Sequence, residues 1–249
     1  MTAAVPATPS SPHVMNTYGR LPIALSHGQG CRVWDVNGRE YLDGLGGIAV
    51  NTLGHNHPKL VAALQDQVTK LIHTSNYYHV PLQEELASLL VERSGMTNVF
   101  FCSTGLEANE AALKLARKYG HTRLGIARPT VITALASFHG RTMAAVTATG
   151  QPRYHQDFAP LVPGFHHVPY NDFPALVGAI EELDREARTV AAILLEPLQG
   201  EGGHITLAGS VQLSYWATRN NHAIATAART IQMAWLPVCC SCQEMPLHA

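Results

Sequence analysis

Lysine is scarce in this chain of 249 residues and stops early: Lys59, Lys70, Lys114 and Lys118 are the full set. Aspartate likewise ends at Asp184. The formal net charge is −1, and charged residues make up 14% of the chain, against about 25% in ordinary soluble domains. That balance offers no electrostatic case for nucleic acid or an anionic membrane surface. No apolar run approaches the ~18 residues a membrane span needs. Residues 1–15 hold Pro6, Pro9 and Pro12 but no Arg or Lys. They lack the charged start and apolar core of a signal peptide and the arginines of a transit peptide, so a disordered tail is expected. The five cysteines are Cys31, Cys102 and a terminal cluster of Cys239, Cys240 and Cys242. This is not a secreted disulfide framework, and a reducing, cytoplasmic setting is expected.

Local patterns predict the elements. CRVWDVNGREYLDG alternates apolar and polar residues around Asn37-Gly38, predicting a hairpin with both turn residues at positive φ. Pro58 opens a helix with Val61, Leu64, Val68 and Leu71 on one stripe, and Pro81 opens another carrying Leu82, Leu86, Leu89 and Leu90. The apolar run Asn98–Cys102 precedes an alanine-rich helix from Glu107 to Tyr119, in which Glu110 is set to pair with Lys114. A second run, Thr130–Ala136, leads into Ser137-Phe138-His139-Gly140-Arg141. A helix over 172–187 with Leu176, Ile180 and Leu183 in register precedes a third run, Val190–Leu195, ending at Glu196-Pro197. Short apolar strands alternating with helices predict an α/β domain around a mostly parallel, two-sided sheet.

Three strand ends carry chemistry-bearing residues. Ser103-Thr104-Gly105-Leu106-Glu107 sets a small hydroxyl-bearing turn at a helix start, where backbone N–H groups and the helix dipole favour an anion. It lacks the lysine and spacing of a nucleotide-phosphate loop, and such turns more often only cap a helix. Phe138-His139-Gly140-Arg141-Thr142 offers a ring able to stack on a planar ligand and a guanidinium able to clamp a carboxylate. Glu196-Pro197-Leu198-Gln199-Gly200-Glu201-Gly202-Gly203 is glycine-rich where backbone must approach something closely. Each is weak alone. His55 and His57, His166 and His167, and the terminal cysteines lack the further ligands of a metal site, so none is expected. Gly28-Gln29-Gly30 lacks the rest of a dinucleotide fingerprint.

Taken together, these stretches resemble the class III pyridoxal-phosphate-dependent aminotransferases of fold type I. STGLEANEAALK (103–114) is similar to that family's SGAEANEAALK motif, FHGRT stands unchanged at 138–142, and EPLQGEGG at 196–203 matches its EPxQGEGG. LGHNHPKLVAAL (53–64) and ATGQPRYHQDFAPLVPGFHHVPYND (148–172) agree, the latter most with the acetylornithine branch. The resemblance covers about residues 17–205. It implies pyridoxal 5′-phosphate as cofactor, small-molecule amino donor and 2-oxo acid as substrates, and a homodimer. By residue, it implies that Thr104, Gly105 and Leu106 cup the phosphate, although Leu106 departs from the usual small residue. Phe138 then stacks on the pyridine ring with His139 beside it, and Glu196 lies near the ring substituents. Arg141 holds the substrate carboxylate, and Glu201 gates that pocket.

The implied reaction moves an amino group from N-acetylornithine to 2-oxoglutarate. Within the family, ornithine, 4-aminobutyrate or succinyl-diaminopimelate are alternative donors, and a non-catalytic short form binding a full-length subunit is a further alternative. The family pattern also requires a later Asp on the pyridinium nitrogen and a later lysine for covalent attachment. No Asp follows 184 and no Lys follows 118, so no catalytic residue is assigned, and the chain alone is expected to be inactive. The expected organisation is a tail over 1–15, an N-terminal segment over 16–80 belonging to the small domain, a partial large domain over 81–205, and a divergent tail over 206–249. That last segment has only Arg219, Arg229 and Glu244 as charges and shows no strand–helix rhythm, which reads as a frameshift, mis-splice or gene-model error. Strands meant for cover on both faces are expected to be left partly exposed.

Overall fold

A computed structural model describes residues 13–203 and 205–207, and the backbone of 223–226. Most of the expected tail over 1–15 and most of the 206–249 segment lie outside the described residues. The chain divides into two units, residues 1–79 and 80–249.

The first unit holds a three-stranded antiparallel sheet of β1 (Leu25–Gln29), β2 (Arg32–Asp35) and β3 (Glu40–Leu42), in that order. The expected hairpin forms, with a different turn. Among its central residues only Gly38 has positive φ, at 81°. The Gly38 amide donates to the Asp35 carbonyl at 3.0 Å, and the Asp35 carboxylate accepts the Asn37 and Arg39 amides, each at 2.9 Å. The carboxylate organises a three-residue loop in which one residue takes the left-handed conformation, so Asn37 need not. Those donors, the Arg39 amide first, hold the Asp35 pKa below its ordinary value. A single turn, α1 (Gly46–Ala49), follows, its start fixed by the Asp43 carboxylate accepting the Leu45 and Gly46 amides. His55 Nε2 meets the other Asp43 oxygen at 2.8 Å. Helix α2 (Pro58–Val68) starts where its proline predicts, but its apolar stripe contains no buried residue.

The second unit begins with α3 (Pro81–Ser94), which also buries none of its leucines. The run Asn98–Cys102 was expected to be a strand and is not one. A strand needs a neighbour's N–H and C=O groups, and no described strand pairs with it. The core then forms from α4 (Gly105–Thr122), β4 (Thr130–Ala134), α5 (Met143–Ala148), β5 (Phe165–Val168), α6 (Phe173–Arg185) and β6 (Val190–Leu195). A small antiparallel pair, β7 (Leu198–Gln199) with β8 (Ile205–Thr206), follows, and then β9 (Ala223–Thr226).

The main sheet runs β5-β4-β6-β9, with every pair parallel. Strand β9 falls in the stretch where the sequence showed no strand rhythm, yet its backbone pairs residue for residue with Ala192–Leu195. Two apolar layers cover the sheet. On one face Ile132, Ala134, Val168, Ile193 and Leu195 meet Leu176, Ala179, Ile180 and Leu183 of α6. On the other, Val131, Ala192 and Leu194 meet Leu113 and Ala116 of α4 and Ala148 of α5. The alternation along β4 is what a strand covered on both sides requires. Every residue of β4 and β6 is buried, whereas the edge strand β5 buries only Val168, so the expectation of partly uncovered strands fails for β4 and β6 and holds for β5. Helices α4, α5 and α6 supply the cover from within the described residues.

Candidate functional site

The carboxyl ends of β4 and β6 and the amino end of α4 come together, and the sequence-predicted residues lie on these three segments. Helix α4 is capped by a reciprocal pair: the Thr104 hydroxyl accepts the Glu107 amide, and the Glu107 carboxylate accepts the Ser103 and Thr104 amides. The next two donors, the Gly105 and Leu106 amides, have no hydrogen-bond partner among the described residues. Two free N–H groups at the positive end of an 18-residue helix, beside a hydroxyl, fit a phosphate group.

Loop 138–142 is stitched directly to this helix. The Asn109 side chain donates to the His139 carbonyl at 2.7 Å. Glu110 accepts the Thr142 hydroxyl, and also the Ala145 amide at 3.2 Å. The sequence pairs Glu110 with Lys114, whereas the structure gives Glu110 to the loop, because backbone and hydroxyl donors come within its reach there. Gly140, at φ 128°, faces Leu106 so closely that an added Cβ would lie 2.3 Å from Leu106 Cδ1. Leucine in place of a small residue is thus accommodated against a glycine.

The third segment closes on the second. Phe138 donates its amide to Glu196 Oε2 at 3.1 Å. Glu196, at the tip of β6, is 2% exposed, and Tyr170 donates its hydroxyl to the Glu196 carbonyl at 2.7 Å. Burial, with the Glu196 charge nearby, pushes the Tyr170 pKa up to about 12, so this phenol stays a donor throughout the neutral range. The Gln199 side chain donates to the Leu135 carbonyl at 2.9 Å, tying the glycine-rich loop to the end of β4. Glu201 meets a cluster from the turn after α5: Tyr154 at 2.9 Å, Arg153 at 3.3 Å and Gln151 at 3.4 Å. The Tyr154 ring meets Phe138 edge-on, with centroids 5.4 Å apart.

Of the predicted residues, Thr104, Gly105, Leu106, Phe138 and Glu196 thus lie on three segments joined by direct contacts. Glu201 joins them through Tyr154. Arg141 is exposed, and its charge is felt at the Tyr154 phenol. His139 is placed apart in one respect: its backbone belongs to the loop, but its ring is 1% exposed, with neither nitrogen hydrogen-bonded. Burial lowers its pKa to about 3, which makes it a neutral interior group at ordinary pH. The residues that sequence reasoning missed are Gln151, Arg153 and Tyr154. They lie roughly fifty positions from Glu201, and no spacing rule links a turn to so distant a loop.

The model of the aminotransferase class-III family matches residues 14–222. The chain belongs to this family. Its similarity to curated members includes 60% identity to the acetylornithine aminotransferase of Nostoc sp., over 76% of this chain and 44% of that protein. The acetylornithine aminotransferase of Nitrosomonas europaea is 53% identical, over 77% of this chain and 47% of its own length. The chain therefore spans less than half the length of these relatives. Among solved structures, the ornithine aminotransferase of Toxoplasma gondii, whose active site holds pyridoxal phosphate at partial occupancy, superposes with a TM-score of 0.79. It is 32% identical and is matched over 86% of this chain and 50% of its own. The N-acetylornithine aminotransferase of Stenotrophomonas maltophilia gives 0.68 at 37% identity, over 82% of this chain and 50% of its own. The family match runs past the break expected near residue 205. Among the described residues, no helix is long and apolar enough to cross a membrane.

Proposed function

We propose that this chain carries the phosphate-, ring- and carboxylate-binding loops of a pyridoxal 5′-phosphate-dependent aminotransferase that uses N-acetylornithine and 2-oxoglutarate. The observation that supports it most is the joining of three distant segments at one sheet edge, through Leu106 against Gly140 and Phe138 to Glu196. The curated relatives named above, 53% and 60% identical, are both acetylornithine aminotransferases, which favours the acetylated donor.

In this reading the Gly105 and Leu106 amides and the Thr104 hydroxyl hold the phosphate. The Phe138 ring would stack on the cofactor's pyridine and exclude water from it. Glu196 fixes the Phe138 backbone, which sets the height of that ring above the sheet edge. Arg141 binds the substrate carboxylate with its two-pronged donors, and Glu201 adjusts the charge beside it. The cofactor, when bound, supplies the conjugated ring that withdraws electrons during amino-group transfer. A homodimer belongs to the same reading, and the half-exposed Leu82, Leu86 and Leu89 of α3 offer apolar surface for association.

Titration of the purified chain with pyridoxal 5′-phosphate, followed by its absorbance, tests the reading. Saturable binding is expected, weakened about three- to tenfold by Phe138→Ala through lost ring stacking. Binding that is absent, or indifferent to Phe138→Ala, would sink it.

A further inference from the structure

Glu201 is met by a turn whose residues carry no assigned role. The turn Pro152–Tyr154 and the residue before it present three donors to a single carboxylate oxygen: the Tyr154 hydroxyl at 2.9 Å, Arg153 Nη2 at 3.3 Å and Gln151 Nε2 at 3.4 Å. The phenol contact has the geometry of a full hydrogen bond to a charged acceptor, and the other two are long. The turn itself is held rigidly. Gln151 also donates to the Ser137 carbonyl at 3.0 Å, just before Phe138, and His155 Nε2 donates to the Thr149 carbonyl at 2.7 Å. Arg153 lies over the Tyr154 ring, its guanidinium carbon 4.8 Å from the centroid, which braces the ring. The edge of that same ring faces Phe138.

We propose that Tyr154 is a positioning residue of this site, holding the Glu201 carboxylate through its hydroxyl while its ring backs Phe138. This rests on the functional reading given above and adds a residue to which the resemblance assigned no role. A Glu201 carboxylate held on the turn stays beside the Tyr154 phenol, where the Arg141 charge is also felt. Without the phenol, the carboxylate loses the shortest of its three contacts from the turn, keeps only the two long ones there, and competes with an incoming anion for the local positive charge. Tyr154 thereby sets how readily the site accepts a 2-oxo dicarboxylate.

The test is a double-mutant cycle in the purified chain, read as 2-oxoglutarate affinity by calorimetry without pyridoxal phosphate. Tyr154→Phe keeps the ring and removes only the hydroxyl; it is expected to weaken the diacid about three- to tenfold. In a Glu201→Gln background the same change is expected to alter affinity by less than about twofold, because the acceptor charge it restrains is gone. A purely structural role for Tyr154 would give the same loss in both backgrounds, and that result overturns the proposal. So does a Tyr154→Phe protein that binds like the parent, or a parent that does not bind the diacid. Failure of pyridoxal phosphate binding is read in the separate Phe138→Ala titration and bears on the functional reading alone.

Discussion

At the scale of single residues, His139 makes the most distinctive demand. Its ring sits in the interior with both nitrogens unpartnered, and its pKa falls from 6.5 to about 3. As pH drops below 6.5, the unfolded chain takes up a proton there that the folded chain refuses until about pH 3. Stability contributed by this group is therefore full above 6.5 and declines with falling pH through that window. Urea midpoints at pH 7 and pH 5 are expected to show the loss. His139→Leu, of similar bulk and with no polar atoms to desolvate, is expected to reduce the pH dependence and to match or exceed the parent's stability at pH 7. An unchanged slope would place the acid sensitivity elsewhere. His167, whose pKa burial also lowers, contributes in the same direction.

At the scale of elements, α4 and its cap join the site to the sheet. Thr104→Ala removes the side-chain acceptor for the Glu107 amide and is expected to cost about 1 kcal/mol in a urea titration. Gly140→Ala meets two obstacles, the positive φ and Leu106 Cδ1, and is expected to lose about 2–4 kcal/mol. Adding Leu106→Ala should recover the steric part and leave the conformational part. The same elements show what a sequence can reveal. Helix α6 was legible because Leu176, Ile180 and Leu183 repeat at helical spacing and all bury. Strand β6 was legible as an unbroken apolar run between charged and proline-bearing ends. Strand β5 was hidden, since His166 and His167 interrupt any apolar pattern, although its backbone pairs in register with Val131–Ala134. The run Asn98–Cys102 misled in the opposite sense, because apolarity without a neighbouring strand does not make a ladder. The three motif loops were legible, but the Tyr154–Glu201 contact was not, since it depends on how β6 and the segment after α5 lie in space.

At the scale of the whole chain, the lysines decide how a cofactor can be held. Lys114 and Lys118 stand on α4 itself, about 14 and 20 Å along its axis from Gly105. Borohydride reduction of the chain mixed with pyridoxal phosphate is expected to leave no stoichiometric adduct at either position by peptide mass analysis. A single fully labelled lysine would refute this. The joins that build the site also connect residues far apart in sequence: 30 positions for Asn109 to His139, 58 for Phe138 to Glu196 and 64 for Leu135 to Gln199. Contacts of such span form only once the parallel strands have found their register, which is slow and nearly all-or-none. The proposed binding site is thus among the last features to assemble and among the first to vanish on unfolding. A buried change on the far face of the sheet, at Leu183 for example, is then expected to register as weakened pyridoxal phosphate binding without touching any of the proposed binding residues.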